Sequence, residues 1–384
     1  MAYMGGGERG RQPPEVPGGD PLAAAGGVDR RGFLSVAGGA LLLCTIDGKQ
    51  VAVRTPEDVE RVDAAMASLR RPKTSQRPRR RPARDPLDSA SFPRPEPQPG
   101  GQLREYWIAA RPVRWNVAPN GDDQWMGRSA PRPSRFTALV YQRYSAGFAA
   151  PLSAPRMPGP TLRAEVGDVI AVHFRNMGTG RYAQPLTVHP HGVRYTPDYD
   201  GAYLGDFTRV GGFVEPGEEF TYFWEATPDS VGVWPYHDHG PNHTLNTFRG
   251  LFGTIIVKER GEPIPDVERT LWMHSFSPQV TGIPRLIHCI NGRTYAGNTP
   301  TIRAKVGQSV ALHAIGGDSS WHTFHIHGHR WRDASGAWVD NPGFGPNEVV
   351  TAAFVEDNPG RWLYHCHVFT HQDMGMAGWY LVDP

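Results

Sequence analysis

A phrase repeated at domain length constrains this chain more than any other feature. Pro160-Thr161-Leu162-Arg163-Ala164 leads into Val166-Gly167-Asp168-Val169-Ile170-Ala171-Val172-His173-Phe174. Pro300-Thr301-Ile302-Arg303-Ala304 leads in the same way into Val306-Gly307-Gln308-Ser309-Val310-Ala311-Leu312-His313. Each copy alternates after a turn, as a strand does when successive side chains point to opposite faces. A repeat at this spacing implies two copies of one β-fold. From Glu105 onward the chain runs in short alternating stretches separated by Gly/Pro turns, and its 45 Gly and 37 Pro suit an all-β protein. The seam is expected near residues 258–268, where Gly261, Pro263 and Pro265 interrupt the pattern. That divides the repeat region into residues 104–262 and 263–384.

The first hundred residues read differently. Arg30-Arg31-Gly32-Phe33-Leu34, followed by a small and apolar run to Leu43, looks like a twin-arginine export signal spanning residues 1–46. The apolar run from Phe33 to Ile46 is too short for a permanent membrane helix. Export to the cell envelope or medium is therefore expected. Residues 47–103 are expected to hold one short helix over 56–71 and then a disordered Pro/Arg-rich linker. The basic run Arg77-Pro78-Arg79-Arg80-Arg81-Pro82 reads as solvated chain. With a net charge of +2, nothing in the balance of charges points to nucleic acid or an acidic substrate. Three cysteines, Cys44, Cys289 and Cys366, are too few for a disulfide framework. Cys289 reads as a small buried hydrophobe.

Four clusters carry ten of the sixteen histidines. They are His189-Pro190-His191, His237-Asp238-His239, His322-Thr323-Phe324-His325-Ile326-His327, and His365-Cys366-His367 with His371 and Met376. Residues i and i+2 of a strand share a face, so each His-x-His pair presents two imidazoles to one point. A Cys thiolate, two imidazoles and a weak thioether make a blue-copper electron-transfer site. Cys366, His371 and Met376 supply three of those ligands, and His322 supplies the fourth from a neighbouring strand. If Cys366 points to that copper, His365 and His367 point to the opposite face, where they can ligate a second centre. The path from the sulfur to either imidazole is on the order of 12 Å. Eight imidazoles, His189, His191, His237, His239, His325, His327, His365 and His367, suit three further copper ions. Together, about four coppers store the electrons that take O2 to water.

These motifs resemble the multicopper oxidases, and among them the two-domain bacterial laccases. The resemblance runs over roughly residues 104–384 and is strongest in His322–Trp331 and in Trp362–Leu381, with Asp373-Met374-Gly375-Met376. It implies two cupredoxin-like Greek-key β-sandwich domains. It assigns His189 and His325 to a type 2 copper, and His191, His237, His239, His327, His365 and His367 to a type 3 pair. His322, Cys366, His371 and Met376 take the type 1 copper. The first domain has no Cys or Met set of its own, so it donates ligands to the cluster only. The family resemblance implies a homotrimer in which each trinuclear cluster is shared between two chains. Asp200 matches an acidic residue near the cluster, a candidate proton relay, although Asp200-Gly201 also reads as a plain turn. Tyr195 matches a tyrosine that could lend a reserve electron, and it also reads as a packed aromatic. Gln372 stands where many relatives place Glu, so one proton route is in doubt.

The leading functional expectation is laccase-type oxidation of phenols or aromatic amines with O2 as acceptor. Axial Met376 favours electron-rich donors. The alternatives are oxidation of Cu(I), Mn(II) or Fe(II), a copper nitrite reductase, and a simple electron shuttle. A shuttle leaves eight histidines without purpose. His173, His243, His274, His288, His313 and His329 are read as structural or surface residues.

Overall fold

Strands dominate because each half of the chain alternates, and the repeat seen in the sequence returns as a repeat of topology. The computed structural model describes residues 42–46, 49–53 and 90–384. Two compact units divide the chain at residues 69 and 70. In the first, strands Leu42–Ile46 and Lys49–Val53 pair antiparallel. The rest of the expected export signal, the helix expected over 56–71 and the basic run at residues 77–82 lie outside the described residues.

In the second unit, one four-stranded sheet of the first half orders Glu219–Glu225, Val169–Asn176, Leu103–Asn116 and Arg135–Tyr144. The second half orders Val349–Val355, Ser309–Gly316, Val267–Phe276 and Ile287–Ile290 in the same sequence. The other pair of sheets matches as well. Leu162–Glu165, Phe252–Lys258, Gly232–His237 and His189–Pro190 correspond to Ile302–Lys305, Ala377–Asp383, Gly360–His365 and His325–Ile326. Parallel pairing falls at equivalent places, Leu103 beside Val169 and Val267 beside Val310. Each half is a cupredoxin-like sandwich of two four-stranded sheets. No helix of the described residues is long and apolar enough to cross a membrane.

Each sandwich has its own apolar core. Ile108, Tyr141, Val172, Phe174, Trp224 and Tyr236 fill the first. Leu271, Leu312, Phe324, Trp331, Tyr364 and Tyr380 fill the second, and Cys366 and Met376 are part of it. A third cluster joins the halves: Trp115, Phe136 and Phe252 pack on Trp272, Phe276 and Ile287. Phe252 stacks on Trp272 at 4.5 Å, and the Trp272 indole donates to Thr254 Oγ1 at 2.9 Å. Fully burying such aromatics is worth about 1.5–3 kcal/mol each, which holds the two sandwiches in one frame.

The linker expected to run to residue 103 ends earlier. Arg94 lies 4.3 Å over the Phe223 ring, Phe92 N donates to Asp198 Oδ2, and Gln98 N donates to Gly167 O. A proline-rich stretch keeps an extended form without ladder partners, so a few side-chain anchors suffice to lay it on the sandwich.

Glu268 pins the junction between the halves. Its buried carboxylate meets Arg163 at 2.5 Å and Lys258 at 3.4 Å, and His313 lies alongside. Burial alone would raise its pKa, but His313, Arg163 and Lys258 hold it near 2, against an ordinary 4.5. A depressed carboxyl stabilises the fold above its ordinary value and loses that contribution as pH falls towards the folded one. Glu268→Gln should therefore lower stability by about 1–2 kcal/mol near neutral pH. Thermal unfolding of both proteins checks this: the gap between midpoints should close as pH drops from 4.5 towards 2.

Candidate metal centres

The segment His365-Cys366-His367 leaves the end of strand Gly360–His365 still alternating. Cys366 is wholly buried, with its Sγ 3.8 Å from His322 Nδ1 and 3.7 Å from His371 Nδ1. These three donor atoms lie within 4.8 Å of one another. Met376 is also fully buried, and its carbonyl accepts from Cys366 N at 3.1 Å. Burial would push the Cys366 thiol up, yet His322 and His371 beside it hold its pKa down to about 6. A soft sulfur close to thiolate at neutral pH, with two imidazoles, is a donor set that fits copper. His322 is fixed from behind, its Nε2 lying 3.1 Å from the buried Asp318 carboxylate. A ligating imidazole held by a carboxylate is oriented and made more basic.

His365 faces the other way. Its Nε2 lies 3.2 Å from His327 Nε2, and with His325 these form a second group of donors within 4.8 Å. The His367 ring stands 5.1 Å from His365 and 5.4 Å from His325. The first half repeats the pattern. His191 Nε2 meets His237 Nε2 at 3.0 Å, and the His189 ring stands 5.2 Å from His191 and 5.0 Å from His239. Among the described residues the ring contacts that these eight histidines make with one another stay within each set of four, and none crosses from His189, His191, His237 or His239 to the other four.

Backbone carbonyls fix the protons on four of these rings. His189 Nδ1 donates to Asp200 O at 2.7 Å and His325 Nδ1 to Asp340 O at 2.7 Å. His237 Nδ1 donates to Asp238 O at 2.9 Å and His365 Nδ1 to Cys366 O at 3.0 Å. A carbonyl only accepts, so in neutral rings the opposite Nε2 carries a free lone pair. Burial, with help from the neighbouring imidazoles, lowers the pKa of His191 to about 4, of His237 to about 3 and of His365 to about 4. Neutral rings grouped in this way fit a metal-binding donor set, and His239 Nδ1 is buried with no hydrogen-bond partner.

The local chain explains these placements. His189 pairs with His237 and His325 with His365 across antiparallel ladders, which brings the i, i+2 pairs together in twos. Thr187 and Thr323 each accept from the backbone N–H of the last histidine, His239 or His367, at 2.9 Å. Gly192 sits at φ +70° because a Cβ there would run into the Trp234 ring.

Asp200 and Tyr195 both lie at the first-half cluster. The Asp200 carboxylate is 3.1 Å from His189 Nδ1, and the Tyr195 ring is 5.9 Å from the His189 ring. Asp200-Gly201 is also a turn: Gly201 has φ +69°, and a Cβ there would strike Val188 O. The backbone carbonyl of Asp200 also accepts from His189 Nδ1. Gln372 Nε2 donates to Asp373 Oδ1 at 3.2 Å, beside His371.

Several contributors were not singled out in the sequence. Asp318 sits four residues before His322, a spacing visible only once both are known to meet. Trp125 reaches from a first-half hairpin to lie over His365, at 6.2 Å and 23°, and Arg128 of that hairpin donates to Asp373 O at 2.7 Å. Asp238 occupies in the first half the place of Cys366: Asp238 N donates to Leu251 O where Cys366 N donates to Met376 O. By that correspondence Leu186 and Leu251 stand where the second half has His322 and Met376. His243, read as structural, stacks on His239 at 4.5 Å, and His288 stacks on His371 at 4.5 Å.

Comparison with known proteins gives the family. Residues 152–262 and 265–384 match two multicopper oxidase family models. The chain is 31% identical over 255 residues to a probable nitrite reductase-hydroxylamine oxidoreductase fusion protein of Kuenenia stuttgartiensis, covering 62% of this chain and 29% of that one. It is 28% identical to the human ferroxidase HEPHL1, covering 74% of this chain and 30% of the relative. The chain thus spans under a third of the length of these curated relatives. A solved multicopper oxidase superposes with a TM-score of 0.59 at 25% identity, covering 75% of this chain and 92% of that one. The chain belongs to the multicopper oxidase family, whose members are copper-dependent oxidoreductases.

Proposed function

We propose that this protein is a laccase-type oxidase that takes single electrons from phenols or aromatic amines and reduces O2 to water. The observation that carries the reading is the opposed facing of His365 and Cys366: one strand end serves a Cys/His/Met pocket on one side and a four-histidine group on the other. Bound copper, about four ions per chain as type 1, type 2 and a type 3 pair, would supply the one-electron steps and the site of O2 reduction.

The protein's own residues divide the work. His322, Cys366, His371 and Met376 hold the type 1 ion. His189 and His325 hold the type 2 ion, and His191, His237, His239, His327, His365 and His367 the type 3 pair. The Cys366 backbone and the His365 and His367 side chains form the covalent path between the two faces. Asp200, beside His189, accepts and passes protons that O2 reduction consumes. Tyr195, whose ring lies 5.9 Å from that of His189, is the reserve electron source. An organic donor is favoured by the exposed Phe369 and Met374, which flank His371, and by the exposed Leu286 and Trp321. Exposed apolar side chains suit an aromatic ring better than a hydrated cation. The ferroxidase relative makes metal-ion oxidation the second reading.

Each chain carries two half-clusters, and we place the complete cluster between copies in a homotrimer. A cavity of about 680 Å3 opens at His325, lined by Arg330, Trp338 and Asp340. Trp338 is 56% exposed there, as a residue awaiting a neighbouring copy would be. We also place the protein outside the cytoplasm on the strength of Arg30-Arg31. Replacing both with Lys should leave the chain in the cytosolic fraction, and unchanged export would remove that assignment.

Oxygen uptake with a panel of phenols, Fe(II), Cu(I), Mn(II) and nitrite tests the donor class. Turnover with phenols is expected, and turnover with a metal ion alone would replace the laccase reading. Copper analysis should give about four ions per chain, against about one for a shuttle. Trp338→Glu should yield smaller particles that keep their blue colour but lose O2 reduction; a blue monomer that still reduces O2 sinks the shared cluster. Asp238→Cys should stay without a second blue site, since Leu186 and Leu251 offer no ligand, and optical titration with copper reads this directly.

A further inference from the structure

Every backbone carbonyl from Asp373 to Ala377, the segment that carries Met376, has a donor. Asp373 O accepts from Arg128 Nη2 at 2.7 Å, Gly375 O from Tyr295 N at 2.7 Å, Met376 O from Cys366 N at 3.1 Å and Ala377 O from Thr299 Oγ1 at 2.6 Å. Met374 O has the weakest bond, from Thr294 Oγ1 at 3.4 Å. Met376 N in turn donates to His371 O at 3.0 Å, so its backbone is tied to Cys366 on one side and His371 on the other. Tyr295 is the unusual member of this set. It has φ +69°, a left-handed backbone in which a bulky side chain is an outlier. Its ring lies against Gly375, where an added Cβ would come within 2.8 Å of the ring and would strike Thr294 Oγ1. The Arg128 guanidinium lies over the same ring at 5.9 Å.

We propose that Tyr295 is a positioning residue for Met376: its ring and amide, backed by Arg128 from the first half, fix the Asp373–Met376 segment and so set how closely the thioether approaches the copper held by Cys366. Met376 lies between the short helix Phe369–Asp373 and the strand Ala377–Asp383, so neither element fixes it directly. A thioether is the weakest ligand of such a set and the one most easily lost to a slack turn. The first half closes the equivalent turn differently. Gly250 precedes Leu251 as Gly375 precedes Met376, and there the flexible Met157 side chain fills the space that Tyr295 and Thr294 fill in the second half. A residue in an outlier conformation persists where its surroundings over-determine it, and such residues gather at functional sites. Here the outlier stands at the turn that carries Met376, while the turn that carries Leu251 is closed without one. A tyrosine that only filled space could do so from an ordinary backbone. The left-handed one brings both the N–H and the ring to the same residue, Gly375.

This proposal rests on the type 1 copper assignment, and the experiment separates the two. Wild-type protein loaded with copper should show the intense blue charge-transfer band; its absence would remove the assignment and the proposal with it. In the blue protein, Tyr295→Gly, Tyr295→Phe and Arg128→Ala are compared by type 1 reduction potential, by electron-spin spectrum and by the rate of copper loss to a chelator. Tyr295→Gly relieves the backbone and removes the ring. It should lose type 1 copper about 10-fold faster, the lower end expected when a residue behind a metal ligand is removed. Its potential should rise, because a thioether that recedes donates less to the oxidised ion. Arg128→Ala, a change at an exposed side chain, should move the potential the same way by a smaller amount. Tyr295→Phe keeps the ring and the amide and should match wild type in all three measurements. Wild-type potential and copper retention in both Tyr295→Gly and Arg128→Ala overturn the proposal even if their thermal midpoints fall, since the clamp would then serve stability alone. If Tyr295→Gly does not fold, Arg128→Ala decides by the same readings. A Tyr295→Phe protein displaced as far as Tyr295→Gly also overturns it, because the hydroxyl and not the ring would be acting.

Discussion

The alternation of side chains across one strand end is the constraint on which the rest of this molecule depends. Cys366 points into the apolar core of the second sandwich, between His322 and His371, while its neighbours point out of it. That single geometric fact sets two electronically different environments three bonds of backbone apart. One is dry and built around sulfur; the other is a group of neutral imidazoles at the edge of the sheet. A residue inserted or deleted there would exchange the faces and bury the imidazoles where the sulfur belongs. The sheets, cores and joining cluster exist, in this sense, to keep one register.

Much of this was legible in the sequence because it depends on period. The repeat of Pro-Thr-Leu/Ile-Arg-Ala predicted two copies of one fold, and the strand orders of the two sandwiches coincide. His-x-His on a strand predicted paired imidazoles, and His191 with His237 and His327 with His365 face each other. What could not be read was anything set by chain segments distant in sequence and without a period. Ser275 meets His288 because two neighbouring strands pair at that register, and Asp318 meets His322 from the loop after strand Ser309–Gly316; no spacing records either. Trp125 reaches His365 from a hairpin of the other half. The expected boundary of the N-terminal linker failed for a related reason: a proline-rich segment has no pattern that distinguishes solvated chain from chain laid on a surface.

The two halves show what is kept and what is released when a fold is repeated. The threonines that accept from the terminal histidine N–H, the carbonyls that hold the ring protons and the ladder pairs between histidines are all duplicated. The sulfur pocket is not. Where the second half has Cys366, the first has Asp238, fully buried and bonded to Thr187 N at 2.7 Å and Asn246 Nδ2 at 3.1 Å. Burial raises its carboxyl to about 7 despite those bonds. With Leu186 and Leu251 around it, the position has become a polar brace for the histidines on either side.

That asymmetry bears on assembly. Two rings in each set of four histidines have their Nδ1 proton committed to a backbone carbonyl, and no ring contact joins one set to the other among the described residues. Imidazoles with bare nitrogens are costly to leave facing one another, since each forgoes hydrogen bonds that water would supply. Metal at those nitrogens would offset the cost, and on the proposed reading a cluster of three ions draws ligands from both sets. The Phe252–Trp272 stack joins the two halves in one frame, with the two sets of histidines out of ring contact. On the proposed reading the missing half arrives from a second copy, so metal binding, association and O2 chemistry become one linked equilibrium, while the sulfur pocket stays complete within a single chain.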